Sequence, residues 1–341
     1  MEAFPTLRVP IIAAPMAGGP STPGLVRAVG EAGGLGFLAA GYRSPAALAD
    51  QIAEVRTGGT TAFGVNLFVP DRTPLDAEAV AAYRQALLPL AAQLGVDGLP
   101  QAAPDDDAWQ EKVELLVADP VPVVSFTFGL PDRTTVERLH AAGSYLIGGV
   151  TSVTEAREAV QRDLDALVVQ GPAAGGHQCT FRTTDPAPGV PLDDLFEAVR
   201  AAVPVPLVAA GGLADAAAVR RVIEAGAAAA QLGTAFLLTP EAGTNPTHRA
   251  ALTHPGFTET VLARCFSGRL ARSLRNAFVE AYDALAPACY PGVNQVAGPI
   301  RRAAAAAGDA QHTNLWAGTG WRLAAEVPAG EVIARLWPAA D

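Results

Sequence analysis

The stretch "VPLVAAGGLADAAAVRRVIEAGAAAAQLGTAFL", Val205 to Leu237, holds a complete strand–helix–strand unit. Its first part, "VPLVAAGG", is a short apolar run closed by two glycines. "DAAAVRRVIEAG" has Asp at its start and Gly at its end, as a capped helix does. "AAAAQLGTAFL", from Ala227, is a second apolar run. Two strands joined by a helix run parallel, because a crossover returns the chain to the same end of the sheet. Both runs are apolar almost throughout, as expected of strands covered on both faces.

Outward from this unit the same alternation repeats. Apolar runs begin at Pro10 ("PIIAAPM"), Gly34 ("GLGFLAA"), Thr61 ("TAFGVNLFV"), Val121 ("VPVVSFTFG"), Ser144 ("SYLIGGV") and Asp165 ("DALVVQG"). Amphipathic stretches such as "PGLVRAVGEAG", "SPAALADQIAEV" and "LDDLFEAVRAAV" lie between them. Eight strands alternating with helices predict an α/β fold, a closed TIM-like (β/α)8 barrel rather than an open doubly wound sheet. Two regions stand outside the repeat. Residues 71–119 exceed one crossover and read as a helical insertion with an acidic loop at "PDDDAW". Residues 239–308, including "ETVLARCFSGRLARSLRNAFVEAYDAL", read as a mostly helical substrate-binding subdomain over the active-site end. The barrel then occupies 1–238, and 309–341 is a tail returning to it.

The chain has 341 residues, half of them apolar, which suffices for one large core with a subdomain. Net charge is −10, and Lys112 is the single lysine. That balance argues against a nucleic-acid partner, which needs a dense basic stripe. Gly, Pro and charges break every apolar stretch, so no membrane span is expected. "MEAFPTLRVP" lacks the pattern of a secretory signal. Cys179, Cys265 and Cys289 are far apart and odd in number, which favours a reducing cytoplasm over a disulfide framework. No third or fourth ligand accompanies His177 and Cys179, so no metal site is expected.

In such a barrel the active site lies at the C-terminal ends of the strands. Polar or glycine residues fall there repeatedly: Pro15 and Met16 after the first strand, Asn66 in the third, Gln170 in the sixth. Gly211 and Gly212 end the seventh, and Gln231, Gly233 and Thr234 lie in the eighth. The loops after strands seven and eight are the usual phosphate cradle of a barrel, where bare backbone can approach an anion. Two glycine sites in adjacent late loops favour a phosphate-bearing ligand over mere tight turns. Asn66 and Gln170 either join an internal hydrogen-bond network or face a polar heterocycle edge. His177 follows Gly175 and Gly176, which leave room for a flat ligand, and an imidazole can take or give a proton near neutrality. Arg269 and Arg272 in "SGRLAR" could orient an anion, but a solvated helix face or local salt bridges is the more ordinary reading.

Seven stretches, "APMAGG", "FGVNLFVP", "VSFTFGLP", "VVQGPAAGGHQCTF", "VPLVAAGGLAD", "AAAAQLGTAFLLTPEAG" and "FSGRLARSLRN", occur in this order, with a weaker echo at "LWAGTG". Together they resemble the nitronate monooxygenases, from about Pro10 to about Asn276. The resemblance implies FMN in a TIM-like barrel with a helical substrate domain. It implies FMN contacts from Asn66, Gln170, Gly175, Gly212, Gln231, Gly233 and Thr234, with Pro15 and Met16 near the ring. It makes His177 the catalytic histidine. The implied reaction is oxidation of alkyl nitronates by O2 to carbonyl compounds and nitrite. Neutral nitroalkanes would also need a base, for which His177 is the candidate. A small anionic substrate and O2 are thus the expected partners, and a homodimer is compatible with the reading. Ala173, Gln178, Cys179 and Thr319 depart from the family pattern beside the site. Two alternatives stand. One is an FMN-dependent NAD(P)H enoyl-acyl-carrier-protein reductase, which shares the barrel and a similar Gly-Gly-His loop. The other is a flavin-binding protein with a specialised-metabolism substrate.

Overall fold

A computed structural model describes residues 4–71 and 73–338; the outermost residues of the expected barrel and tail, and residue 72 of the insertion, lie outside these. Eight parallel strands close into a barrel: β1 (Ile11–Ala13), β2 (Leu35–Ala39), β3 (Gly64–Phe68), β4 (Val123–Thr127), β5 (Tyr145–Val150), β6 (Ala166–Gln170), β8 (Leu207–Ala210) and β9 (Ala229–Leu232). They coincide with the eight apolar runs of the sequence. β1 closes the ring against β9, with Ile12 opposite Gln231, and against β2, with Ile12 opposite Leu35. Every residue of β2, β5 and β6 is buried, which is why these strands carry no polar alternation.

One core fills the barrel with Ile12, Leu35, Phe37, Val123, Ile147, Val168 and Val208. A second lies between strands and surrounding helices. The helices start where the sequence supplies side-chain caps: Thr22, Ser44, Asp132, Ser152 and Asp215 each accept a bond from a first-turn N–H. A cap of this kind contributes about 1 kcal/mol. Pro23 and Pro45 follow two of them at the first helical position, where the missing N–H costs nothing.

The 71–119 region holds two helices, Ala77–Gln93 and Trp109–Ala118. The second carries Lys112, which is buried and pairs with Asp107 at 2.7 Å. The first packs against the helix Gly292–Ala306 over a third core that includes Tyr83, Phe266 and Phe278. Tyr83 Oη donates to Cys265 O at 2.7 Å across this core.

The stretch "ETVLARCFSGRLARSLRN" is a β-hairpin where the sequence suggested helix. β10 (Thr260–Ala263) pairs antiparallel with β11 (Ala271–Leu274), and β11 pairs with β7 (Gly176–His177). Arginines at 269, 272 and 275 mimic a helical stripe, but pairing with a segment far away in sequence overrides that local pattern. The loop expected to carry chemistry is therefore the third strand of a small sheet laid over the barrel mouth.

Candidate active site

His177 sits at the meeting point of three elements. Gly171 to Gly176 lead out of β6, β11 fixes the histidine opposite Ala271, and Gln178 N donates to Leu270 O at 2.9 Å. Gln170 secures the loop from below: its Nε2 donates to His177 O at 3.2 Å, and its Oε1 accepts from Cys179 N at 2.8 Å. Asn66 is likewise engaged, its Nδ2 donating to Ser125 Oγ (2.9 Å) and Thr127 Oγ1 (3.0 Å). Both strand amides thus belong to internal networks, and any contact with a ligand edge would be in addition to these bonds.

The imidazole Nε2 lies 2.8 Å from Ser267 Oγ, a partner that the sequence reading did not single out. Phe128, Trp316 and Tyr290 surround it, with ring centroids at 5.3, 5.3 and 6.3 Å. Burial pushes its pKa down to about 3, and the charges of Arg269 and Arg301 push the same way. At pH 7 His177 is therefore a neutral hydrogen-bonding group. Cys179 is no nucleophile: burial pushes its thiol up to about 12.

Arg269 is not on a solvated face. It is 1% exposed and pairs with Asp71 Oδ2 at 2.9 Å. Its Nη1 donates to Thr180 O at 2.9 Å, and the guanidinium carbon lies 4.3 Å from the Phe128 ring centroid. Asp71 also accepts from the backbone N and hydroxyl of Thr183. Arg272 ties β11 to the loop before the histidine through Pro172 O at 2.9 Å. Among the other histidines, His140 pairs with Asp165 and His312 with Asp309, at 2.9 and 2.6 Å.

The glycine loops converge beside this group. Gly175 lies so close to the segment Leu315–Thr319 that a Cβ there would stand 2.4 Å from Gly318 N. Thr234 Oγ1 accepts from Gly318 N at 3.0 Å, and Thr319 N donates to Ala173 O at 3.1 Å. Gly212 has φ +77°, and a Cβ there would meet Ala173 Cβ at 2.8 Å. Two of the departures from the family pattern, Ala173 and Thr319, are therefore neighbours at one spot. Gly211 lies next to it, while Gly233 faces Met16 Sδ. Gln231 pairs across to β1, and Pro15 follows that strand. The predicted residues thus surround one mouth, at the C-terminal ends of β1, β3, β6, β8 and β9.

A closed parallel barrel with a glycine-rich mouth and one enclosed imidazole there places the molecule in the TIM-barrel class. The sequence pattern of the nitronate monooxygenases matches residues 3–339. The chain belongs to the nitronate monooxygenase family. It is 35% identical over 335 residues to a probable nitronate monooxygenase of Staphylococcus aureus strain JH9, covering 97% of this chain and 94% of that one. Its structure resembles the nitroalkane oxidase of Streptomyces ansochromogenes, with a TM-score of 0.93 and 45% identity over 97% of this chain and 95% of that one. It also resembles FabK of Thermotoga maritima, with a TM-score of 0.74 and 25% identity over 97% of this chain and 92% of that one. Among the described residues no helix is long and apolar enough to cross a membrane.

Proposed function

We propose that the protein binds FMN at the barrel mouth and oxidises alkyl nitronates with O2 to carbonyl compounds and nitrite. Gly175 and Gly212 pack so closely on Gly318 and Ala173 that no side chain fits, and the bare backbone this leaves at the mouth supports a cofactor held by main-chain amides. Gly175, Gly176, Gly211, Gly212 and Gly233 would present N–H groups to the phosphate. Thr234 Oγ1 already accepts from Gly318 N, so its own hydrogen is available for a phosphate oxygen. Asn66, Gln170, Gln231, Pro15 and Met16 would border the ring. When bound, the flavin supplies the ring that exchanges electrons with substrate and O2.

The observation that carries the reading is the seat of His177, boxed by three aromatic rings and bonded to Ser267. A neutral imidazole of low basicity can orient an ion that already lacks its α-proton. A neutral nitroalkane would need a stronger base, so the nitronate is the better substrate. The likeness to the Streptomyces nitroalkane oxidase supports neutral nitroalkanes as secondary substrates. The 239–308 region and the helix Ala77–Gln93 would form the substrate side. Three free, separated cysteines favour the cytoplasm as the compartment.

Nitrite release from ethyl nitronate, with FMN freed on denaturation, is the expected result. His177→Asn should lower kcat/KM by about 100-fold or more, the usual share of a positioned catalytic group. Wild-type protein that releases no nitrite from any nitronate would overturn the reading. The FabK likeness supports one competitor, an enoyl reductase fed by a nicotinamide. Anaerobic NADH or NADPH should leave the flavin coloured; rapid bleaching would favour that competitor.

A further inference from the structure

The imidazole of His177 offers two nitrogens, and the protein engages one of them. Nε2 lies 2.8 Å from Ser267 Oγ. Nδ1 has no hydrogen-bond partner among the described residues, yet it is not a nitrogen sealed off from solvent. His177 is half-buried, and so are Trp316 and Tyr290 beside it. Nδ1 is therefore the ring nitrogen turned to the open side of the site.

Ser267 decides which nitrogen carries the hydrogen. It is 1% exposed, so its hydroxyl hydrogen is out of reach of bulk water. Among the described residues two acceptors are near it: His177 Nε2 at 2.8 Å and Arg269 O at 3.4 Å. The second distance exceeds the usual O–H···O range. A buried donor left without an acceptor is costly, so the hydrogen goes to Nε2. The Arg269 amide donates to the same Oγ at 3.4 Å, which leaves the serine an acceptor toward the backbone and a donor toward the ring. Burial keeps the ring neutral at pH 7. A neutral imidazole that accepts at Nε2 carries its hydrogen on Nδ1.

We propose that His177 meets its ligand as an Nδ1–H hydrogen-bond donor, and that Ser267 is the positioning residue that sets this tautomer. The ligand class that follows is an oxygen-bearing anion, whose lone pairs accept from Nδ1–H. A carbon acid that must surrender its α-proton meets a hydrogen where it needs a lone pair. The inference deepens the nitronate reading and rests on it, because nitronate oxygens are such acceptors. A neutral nitroalkane is served only when the tautomer reverses and Ser267 turns its hydrogen to the poorer acceptor, Arg269 O. That ranks it as the secondary substrate.

The test is NMR of the flavin-loaded protein at pH 7, with heavy-nitrogen-labelled histidine. The His177 signals are those missing from His177→Asn. Wild type should show the ring hydrogen on Nδ1. Sodium nitrate, a planar oxyanion that is not turned over, should shift that signal. Ser267→Ala should show both tautomers, and Ser267→Thr, which keeps the hydroxyl, should return the hydrogen to Nδ1. In turnover, Ser267→Ala should narrow the preference for ethyl nitronate over nitroethane by about two- to tenfold, the worth of one hydrogen bond. A residue that only braced the fold would lower both rates alike. A wild-type ring with its hydrogen on Nε2, or an Nδ1–H signal that nitrate leaves in place, would overturn the proposal. These wild-type spectra decide the matter even if the serine variants fail to fold. An Nδ1–H that responds to nitrate, with no nitrite from any nitronate, would leave the donor standing and remove only the monooxygenase reading.

Discussion

A single hydroxyl, that of Ser267, decides how His177 is held. Among the described residues it is the one side chain hydrogen-bonded to the imidazole, at 2.8 Å. Ser267→Ala should therefore lower kcat/KM by about two- to tenfold, the worth of one such bond. FMN content should stay at the wild-type level, and comparing the two readouts separates lost orientation from lost cofactor. Gly175→Ala should act the other way round. Its methyl would collide with the backbone at Gly318 and Ala317, so the purified variant should carry far less FMN than wild type, measured by absorbance. At this scale His177 was legible, because two bare residues before an imidazole at a strand end are conspicuous. Ser267 was not, because 90 residues separate it from its partner and only folding joins them. Tyr290 and Trp316 escaped for the same reason.

The elements divide along the same line. The barrel strands could be read directly, since burial on both faces leaves an apolar run with no competing pattern. The β10–β11 hairpin could not. Arg269, Arg272 and Arg275 recur every three residues and look like one face of a helix. In the structure Arg269 precedes β11, Arg272 lies within it, and Arg275 pairs with Glu259 beyond it. The buried Arg269–Asp71 pair joins this hairpin to the loop after β3. Asp71→Asn would leave the guanidinium enclosed without its carboxylate. Urea denaturation should reveal a loss of about 3–5 kcal/mol, the scale for breaking such a pair; a loss below about 1 kcal/mol would mean that water reaches Arg269 after all.

For the molecule as a whole, two enclosed histidines link folding to acidity. Burial pushes the pKa of His177 down to about 3 and that of His248 to about 4. Both are near 6.5 in an unfolded chain. Below pH 6.5 the unfolded state thus binds protons that the folded state refuses. Their contribution to stability is complete above pH 6.5 and is lost as pH falls toward 4 and then 3. Each histidine tilts stability by about 1.4 kcal/mol per pH unit within that window. Urea midpoints between pH 7 and 5 should show a shallower decline in His248→Gln than in wild type, and parallel lines would contradict the assignment. His248 interacts with the backbone of Trp316, beside the cradle, so flavin content is measured in the same samples.

The segment that seals the cradle has a further consequence. Gly318 reaches back to Thr234, 84 positions earlier in the chain, and Trp316 bridges to Ser273 on the way. While the chain is still being made on the ribosome, all eight staves of the barrel can emerge before this strap exists. A nascent chain halted near residue 310 would have all eight strands but neither this strap nor the helix Ala329–Leu336, whose Val332, Ile333 and Leu336 complete the core between strands and helices, so on the proposed reading cofactor capture is one of the last acts of biogenesis.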